Sequence, residues 1–404
     1  MQPVVCYEQY ASPAAALEPH RRVLHHDTGS AVSVISHVET CTVRVPLQEP
    51  LSFSTRHVVA REYSLVRVRD EDGVVGIGFS YAGSSGGAVV STAVRELLAG
   101  VVVGEDPYRV EGLWQEMYQE ALLHGRTGSV MRALSAVDIA LWDHNARAVG
   151  LPLWRMLGGV HRESVPAYAS GGYYRGGKTL EALADEVRGY VAQDFSAVKI
   201  KVGRLGPAQE EERVAAVRAA VGPDVLVMLD ANNAWTDLPT ALRTIRRFEA
   251  YDPYWIEEPF SPDDLDNHAR LARSTPIPVA TGEIEAGRWR HKELLDKEAA
   301  AILQTDAAVA GGITEFRRIS ATAASYGIPV APHWFHDLHV HLVGSTPGAT
   351  FVEYFTDSSV LNFRDLVDTQ LEVRDGRLVL PTTPGLGFGF DDAAVERYRT
   401  TPWT

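Results

Sequence analysis

Val225-Leu226-Val227-Met228-Leu229-Asp230 is an apolar run that stops on a carboxylate. It is one of seven such runs in the second half of the chain, which end at Lys199 and Lys201, Asp230, Glu257, Glu283, Asp306, His333 and Glu353. The steps from Lys201 through Asp230, Glu257, Glu283, Asp306 and His333 to Glu353 are 29, 27, 26, 23, 27 and 20 residues. A β-strand and its return helix use about that much chain, since an eight-unit barrel takes roughly 250 residues. The spacing predicts eight strands, at 165–170, 197–202, 225–230, 254–257, 278–281, 300–306, 328–333 and 349–354, with helices such as 208–221 and 238–251 between them. No Gly-rich fingerprint opens any of these helices, which favours a barrel over a doubly wound open sheet. One ionisable group per strand then collects at one rim.

Upstream the pattern changes. Residues 34–46 alternate like a strand, and 63–69 and 74–79 flank Asp72-Gly73 as a hairpin. Helical patterning covers 89–150, where Leu134, Val137 and Leu141 recur at helical spacing and Gly150 with Pro152 stops the helix. A sheet followed by helices predicts an α+β domain. The expected organisation is an N-terminal extension at 1–33 with no assigned function, an α+β domain at 34–160, the barrel at 161–360, and a C-terminal segment at 361–404. That last segment contains a second hairpin around Asp375-Gly376 and a Gly-rich run at 384–390, and is expected to pack back on the first domain.

Composition sets the outer bounds. The 404 residues are 45% hydrophobic and 22% charged, enough to bury a large core in two domains. A net charge of −14 with no run of Lys or Arg argues against a nucleic-acid surface. Two cysteines, Cys6 and Cys41, match neither a disulfide framework nor a thiolate metal site, and no run has the length of a membrane span or the order of a signal peptide. A cytoplasmic protein is expected.

The strand ends carry the chemistry. In Val198-Lys199-Ile200-Lys201-Val202 a period of two puts both lysines on one face. Their mutual repulsion and desolvation would lower the pKa of Lys201 toward that of a usable base. Asp230, Glu257 and Glu283 end three successive strands, and three converging carboxylates call for a cation. All-oxygen ligation points to a hard ion, Mg2+ before Mn2+ or Ca2+. Glu258 beside Glu257, and Glu285 two residues past Glu283, leave the choice within each pair open. Asp306 next to His333 would fix the imidazole tautomer and raise its basicity, giving a second acid/base facing the lysines. Glu353 closes the set.

The chain from about Val34 onward resembles the enolase superfamily, mandelate racemase subgroup. The resemblance lies in Ala136-Val137-Asp138-Ile139-Ala140-Leu141-Trp142-Asp143, Pro152 with Leu157-Gly158-Gly159, Lys199-Ile200-Lys201, Asp230-Ala231-Asn232, Trp255-Ile256-Glu257-Glu258-Pro259, Gly282-Glu283, Asp306 with Gly311-Gly312-Ile313-Thr314, and Pro332-His333. It implies an α+β capping domain over a (β/α)7β barrel, Mg2+ on Asp230, Glu257 and Glu283, and a homo-oligomer. It also implies Lys201 as one base with Lys199 as its partner, His333 with Asp306 as the opposite base or acid, and Asn232 and Glu353 as substrate hydrogen-bonding groups. The implied half-reaction is abstraction of a proton α to a carboxylate. It gives an enediolate stabilised by Mg2+, Lys199 and a protonated Glu353, a pattern general to this superfamily.

Reprotonation of that enediolate gives racemisation or epimerisation, and loss of a β-hydroxyl with His333 as acid gives dehydration. The segment Ser52-Phe53-Ser54-Thr55-Arg56-His57, the Gly- and Ser-rich 81–87, and Tyr173-Tyr174 after the first barrel strand are polar. They suit a polyhydroxy acid, so the expected reaction is dehydration of an aldonate or aldarate to a 2-keto-3-deoxy acid, with Arg56 and His57 at the distal end. Two rival classes are a zinc metallohydrolase built on His339-x-His341 and a barrel kept for binding alone. The first is disfavoured because its histidines fall where the chain should already be helical. The second is disfavoured because the set of ionisable groups is complete.

Overall fold

The computed structural model describes residues 33–161 and 163–404; the expectation for the N-terminal extension falls almost wholly outside them. Three strands form an antiparallel meander: β1 (Ile35–Ser52), β2 (His57–Asp70) and β3 (Val75–Tyr81). The β2–β3 turn uses Gly73 at φ 86°, the left-handed conformation that glycine supplies at no steric cost. Helices α1 (Val110–Ala121) and α2 (Gly128–Ala148) follow. Nearly all of α2 beyond its first turn is buried, as expected of a helix covered on every side. It approaches β3 so closely that a Cβ on Gly78 would lie 1.9 Å from the Ala136 carbonyl oxygen.

Two acids on α2 hold the layers together. Asp143 accepts hydrogen bonds from Ile77 N (2.8 Å), Leu386 N (2.7 Å) and Arg147 Nε (2.7 Å). Asp138 accepts from Thr314 N (3.0 Å) and Thr314 Oγ1 (2.6 Å).

The second half alternates as predicted. Its strands are β4 (Ser164–Gly171), β5 (Ala197–Lys201), β6 (Leu226–Asp230), β7 (Trp255–Glu257), β8 (Val279–Thr281), β9 (Ile302–Leu303) and β10 (Val352–Tyr354). Helices α3 (Leu180–Val191), α4 (Pro207–Val221), α5 (Leu238–Phe248), α6 (Leu265–Ala272) and α7 (Gly287–Asp296) return the chain between them. After β9 and a one-turn helix at Ala307–Ala310 come α8 (Gly312–Ser325) and α9 (His336–Ser345).

Parallel pairing runs from β4 through β9, and β10 pairs back onto β4. The strand expected at 328–333 is reduced to Val330, which bridges both Leu303 and Ala349. The strand expected to reach Asp306 stops at Leu303 because Asp306 instead caps the one-turn helix, accepting from Ala308 N at 2.8 Å. Together these contacts close the eight-position (β/α)7β barrel under the capping domain.

Inside the ring, Tyr168, Ala197, Met228, Trp255, Ala280, Ile302 and Ala331 fill the floor, while Val198, Ile200 and Val202 face the helices. The alternation expected for the two lysines is therefore realised.

The C-terminal segment divides its contacts. Its hairpin, β11 (Val373–Arg374) and β12 (Arg377–Val379), extends the barrel sheet by pairing β12 antiparallel to the start of β4. Further on, Leu153 N donates to Gly385 O (2.8 Å), and the final residues run along β1, where Thr40 N donates to Thr404 O (3.0 Å) and Thr400 N to Thr42 O (2.8 Å).

Candidate active site

Strand register assembles the site. Lys201 pairs with Asp230, Asp230 with Glu257, and Glu353 with Tyr168, all within the parallel ladder. Glu283 follows β8 by two residues, beyond Gly282 at φ 121°. Asp230, Glu257 and Glu283 each offer one carboxylate oxygen within 4.8 Å of the others, and all three are buried. Among the described residues Glu283 Oε2 has no hydrogen-bond partner. Burial, with Glu258, Glu257 and Asp230 close by, pushes the Glu283 carboxyl well above its usual range. Burial and Asp230 likewise raise Glu257. Three buried acids that repel one another and offer a free oxygen fit a hard divalent cation. Glu258 turns away at φ 42°, and burial with Asp230 and Glu257 pushes it up to about 8.

The lysines depart from expectation. Burial lowers both, yet Glu257 and Glu353 around Lys199, and Asp230 beside Lys201, outweigh it and hold each well above the ordinary lysine value. Lys199 Nζ lies 2.8 and 2.9 Å from the two Glu257 oxygens and 2.8 Å from Glu353 Oε1, and Lys201 donates to Asp230 Oδ2. The mutual repulsion inferred from sequence is thus overridden by carboxylates that alternation along one strand does not reveal. Glu353 is corrected for the same reason. Burial raises its carboxyl, but Lys199, His333 and Lys201 outweigh that and hold it below the usual range, whereas a protonated donor is expected; one oxygen faces Lys199 and the other accepts from Trp334 N.

His333 Nδ1 lies 3.1 Å from Asp306 Oδ2, and its Nε2 faces the carboxylate cluster, 3.4 Å from Glu283 Oε1. The dyad read from sequence is formed. Behind it His339 Nε2 accepts from Ala307 N at 3.2 Å. His341 is engaged elsewhere, with Trp154 N and Leu386 O. On α9 the two histidines diverge, which removes the zinc pair.

Asn232 adopts φ 42°, a conformation asparagine tolerates. Its carbonyl accepts from Ser54 Oγ (3.0 Å) and Thr55 Oγ1 (3.2 Å), and its own Oδ1 is buried without a partner. The loop between β1 and β2 is thereby docked on the barrel mouth. Arg56 and His57, expected to reach a substrate's distal end, are exposed. His57 Nδ1 pairs with Ser52 Oγ at 3.0 Å, and neither residue hydrogen-bonds to a strand-end group among the described residues.

Phe53 reaches the lysines instead. Lys201 Nζ lies 5.8 Å from the Phe53 ring centre and 4.9 Å from that of Tyr173, while Lys199 Nζ lies 5.3 Å from that of Tyr168. Trp255 Nε1 donates to Glu257 Oε2 at 3.2 Å, and Trp334 N to Glu353 Oε2 at 2.8 Å. Sequence reasoning missed Tyr168, Trp255 and Trp334. Only Trp255 left a signal, two residues before Glu257 on the same strand face. A cleft of about 550 Å3 between α3 and the loop after β10 contains none of the strand-end groups.

Comparison with known proteins agrees with this geometry. Residues 35–158 match the mandelate racemase / muconate lactonizing enzyme N-terminal domain, and residues 182–394 the enolase C-terminal domain-like family. The chain is 35% identical to L-talarate/galactarate dehydratase of Salmonella typhimurium, over 87% of each chain. It is 34% identical to 3,6-anhydro-alpha-L-galactonate cycloisomerase of Streptomyces coelicolor, over 90% of this chain and 99% of that one. The solved structure of L-talarate dehydratase from Polaromonas sp. JS666, complexed with Mg and L-glucarate, superposes with a TM-score of 0.84 at 33% identity, covering 92% of this chain and 99% of that one. With both domains matched, and a capping domain and a (β/α)7β barrel in place, the chain belongs to the enolase superfamily, in its mandelate racemase subgroup.

Proposed function

We propose that the protein is a Mg2+-dependent dehydratase of an acid sugar, an aldonate or aldarate, which removes the α-proton and expels the β-hydroxyl to give a 2-keto-3-deoxy acid. The observation that supports this reading is that Lys201, at the end of β5, and the His333–Asp306 pair, in the loops after Val330 and β9, lie beside one three-carboxylate cluster. Mg2+ held by Asp230, Glu257 and Glu283 supplies a Lewis acid for the substrate carboxylate.

This chain's residues do the rest. Lys199, fixed by Glu257 and Glu353, places a positive charge where negative charge gathers as the proton leaves. With Asp230 committed to Mg2+, the charge that holds the Lys201 ammonium is taken up, leaving Lys201 to serve one face of the α-carbon and His333 the other. With Nδ1 tied to Asp306, His333 presents Nε2 to the cavity and delivers a proton to the departing hydroxyl. The free Oδ1 of Asn232 accepts a hydrogen bond from a substrate hydroxyl, and Phe53 and Tyr173 wall the lysine side from water. The relatives' names support the dehydration branch.

A panel of aldonates and aldarates incubated with Mg2+ tests the reading by keto-acid formation, which Lys201→Ala or His333→Asn should reduce by about 10²–10⁴-fold. Isomerisation without loss of water would refute dehydration and leave the proton abstraction standing. No turnover of any acid sugar, with racemisation of an aryl hydroxy acid, would refute the substrate class.

A further inference from the structure

Trp334, next to His333, has φ 75°, in a region that bulky side chains avoid and that persists only where the surroundings impose it. Its N–H donates to Glu353 Oε2 at 2.8 Å. Its indole stacks on the His333 imidazole, with ring centres 5.5 Å apart and 20° between planes, and packs against Phe355 at 4.9 Å and Tyr81 at 5.5 Å. A single residue therefore touches two members of the site, one through its ring and one through its backbone.

Arg61, on β2 of the capping domain, holds that indole. It is 2% exposed, and its Cζ lies 4.4 Å from the Trp334 ring centre. Nε donates to Val360 O (2.6 Å) and Nη1 to Tyr81 Oη (2.9 Å), which pins the guanidinium to the barrel loop after β10 and to β3. Nη2 has no hydrogen-bond partner, and among the described residues Arg61 enters no ion pair. A buried cation without a carboxylate is expensive. What this one has in exchange is the face of an aromatic ring, and that ring is stacked on a proposed acid/base.

We propose that Arg61 is a positioning residue for the reaction. Acting through the Trp334 ring, it fixes the plane of the His333 imidazole, so this barrel group takes its working geometry only with the capping domain seated. Released from Arg61, the Trp334 ring leaves the His333 imidazole, while Lys199 keeps its contacts with Glu257 and Glu353. The inference rests on the reading that His333 is one of the two proton-transfer groups.

Exchange of the α-hydrogen in D2O with Mg2+, followed by NMR for two acid sugars epimeric at C2, tests it. Lys201→Ala and His333→Asn identify which epimer's exchange depends on which base. Arg61→Met should slow the His333-dependent exchange by about 10- to 100-fold and leave the Lys201-dependent exchange within about twofold. Arg61→Lys should recover part of the loss. Trp334→Leu leaves the hydrogen bonds of Arg61 in place and should give the same asymmetry, serving where Arg61→Met does not fold.

Equal slowing of both epimers, or slowing of neither, overturns the inference. The 13C-labelled imidazole resonances of His333, assigned by their loss in His333→Asn, give a second readout without turnover: they should move in Arg61→Met, and unchanged shifts overturn the inference. Absence of exchange with either epimer in the wild type would strike the proposed function instead, and the imidazole resonances would still decide the role of Arg61.

Discussion

Glu283→Gln separates the cost of the carboxylate cluster from its use. In the metal-free protein Glu283 is a buried acid with one oxygen unpartnered, facing Glu257 and Asp230. At a pH where the folded protein must ionise it, Glu283→Gln removes the charge and that repulsion, and the gain should be about 1–3 kcal/mol, the scale of one buried group's desolvation. Its folded-state carboxyl lies well above the ordinary 4.5, so the folded form binds the proton more tightly. The stability this contributes is present below pH 4.5 and is lost as pH rises through the higher folded-state value; the metal-free wild type should therefore weaken as pH rises from 4.5 while Glu283→Gln weakens less.

Mg2+ should reverse the order. At a hundred times its dissociation constant the ion adds about 2.7 kcal/mol to the wild type, whereas a site bound a hundredfold more weakly gains only about 0.4 kcal/mol at the same concentration. Urea unfolding of both proteins, with EDTA and with Mg2+, measures all four stabilities. Equal stabilisation by Mg2+ in both proteins, or a metal-free variant weaker than the wild type, would refute the reasoning.

Trp255→Phe removes the indole donor to Glu257 Oε2 and should weaken Mg2+ binding about 10- to 100-fold by calorimetry, with the fold intact. Gly78→Ala drives a methyl group into the Ala136 carbonyl; the expected loss is about 1–3 kcal/mol or more in urea unfolding, from β3 and α2 being forced apart. Burial pushes the Asp138 carboxyl up to about 7 from 3.8, so its contribution to stability is full below pH 3.8 and is lost as pH rises through about 7. Asp138→Asn should flatten the melting temperature across that window, and an unchanged pH profile would count against the shift.

What the sequence disclosed and what it withheld divide along a physical line. Lys201, Asp230 and Glu257 were legible because a strand's period and a barrel's repeat are local regularities, and pairing in register does the rest. The strand at 328–333 was not, because two flanking bridges at Val330 suffice to keep His333 at the rim. The charges that surround Lys201 and Glu353 were not legible because they come from other strands, whose distances no periodicity supplies. Arg61 escaped notice altogether. Its hydrogen bond to Val360 joins residues 299 apart in sequence, and one of three arginines on a strand that mixes apolar and charged residues carries no pattern to read.

The C-terminal residues that lie along β1 bear on the order in which the molecule is made. Thr42 N donates to Thr401 Oγ1, a partner translated 359 residues later. Asp143 likewise waits for the backbone N–H of Leu386, 243 residues downstream. The capping domain, translated before the barrel, is thus completed after it, with an open sheet edge and a buried acid lacking one of its donors throughout synthesis of the barrel. Exposed edges are templates for pairing with other chains, so the vulnerable interval for this protein is translation itself, and slow elongation through the barrel should cost more soluble product than slow elongation after it.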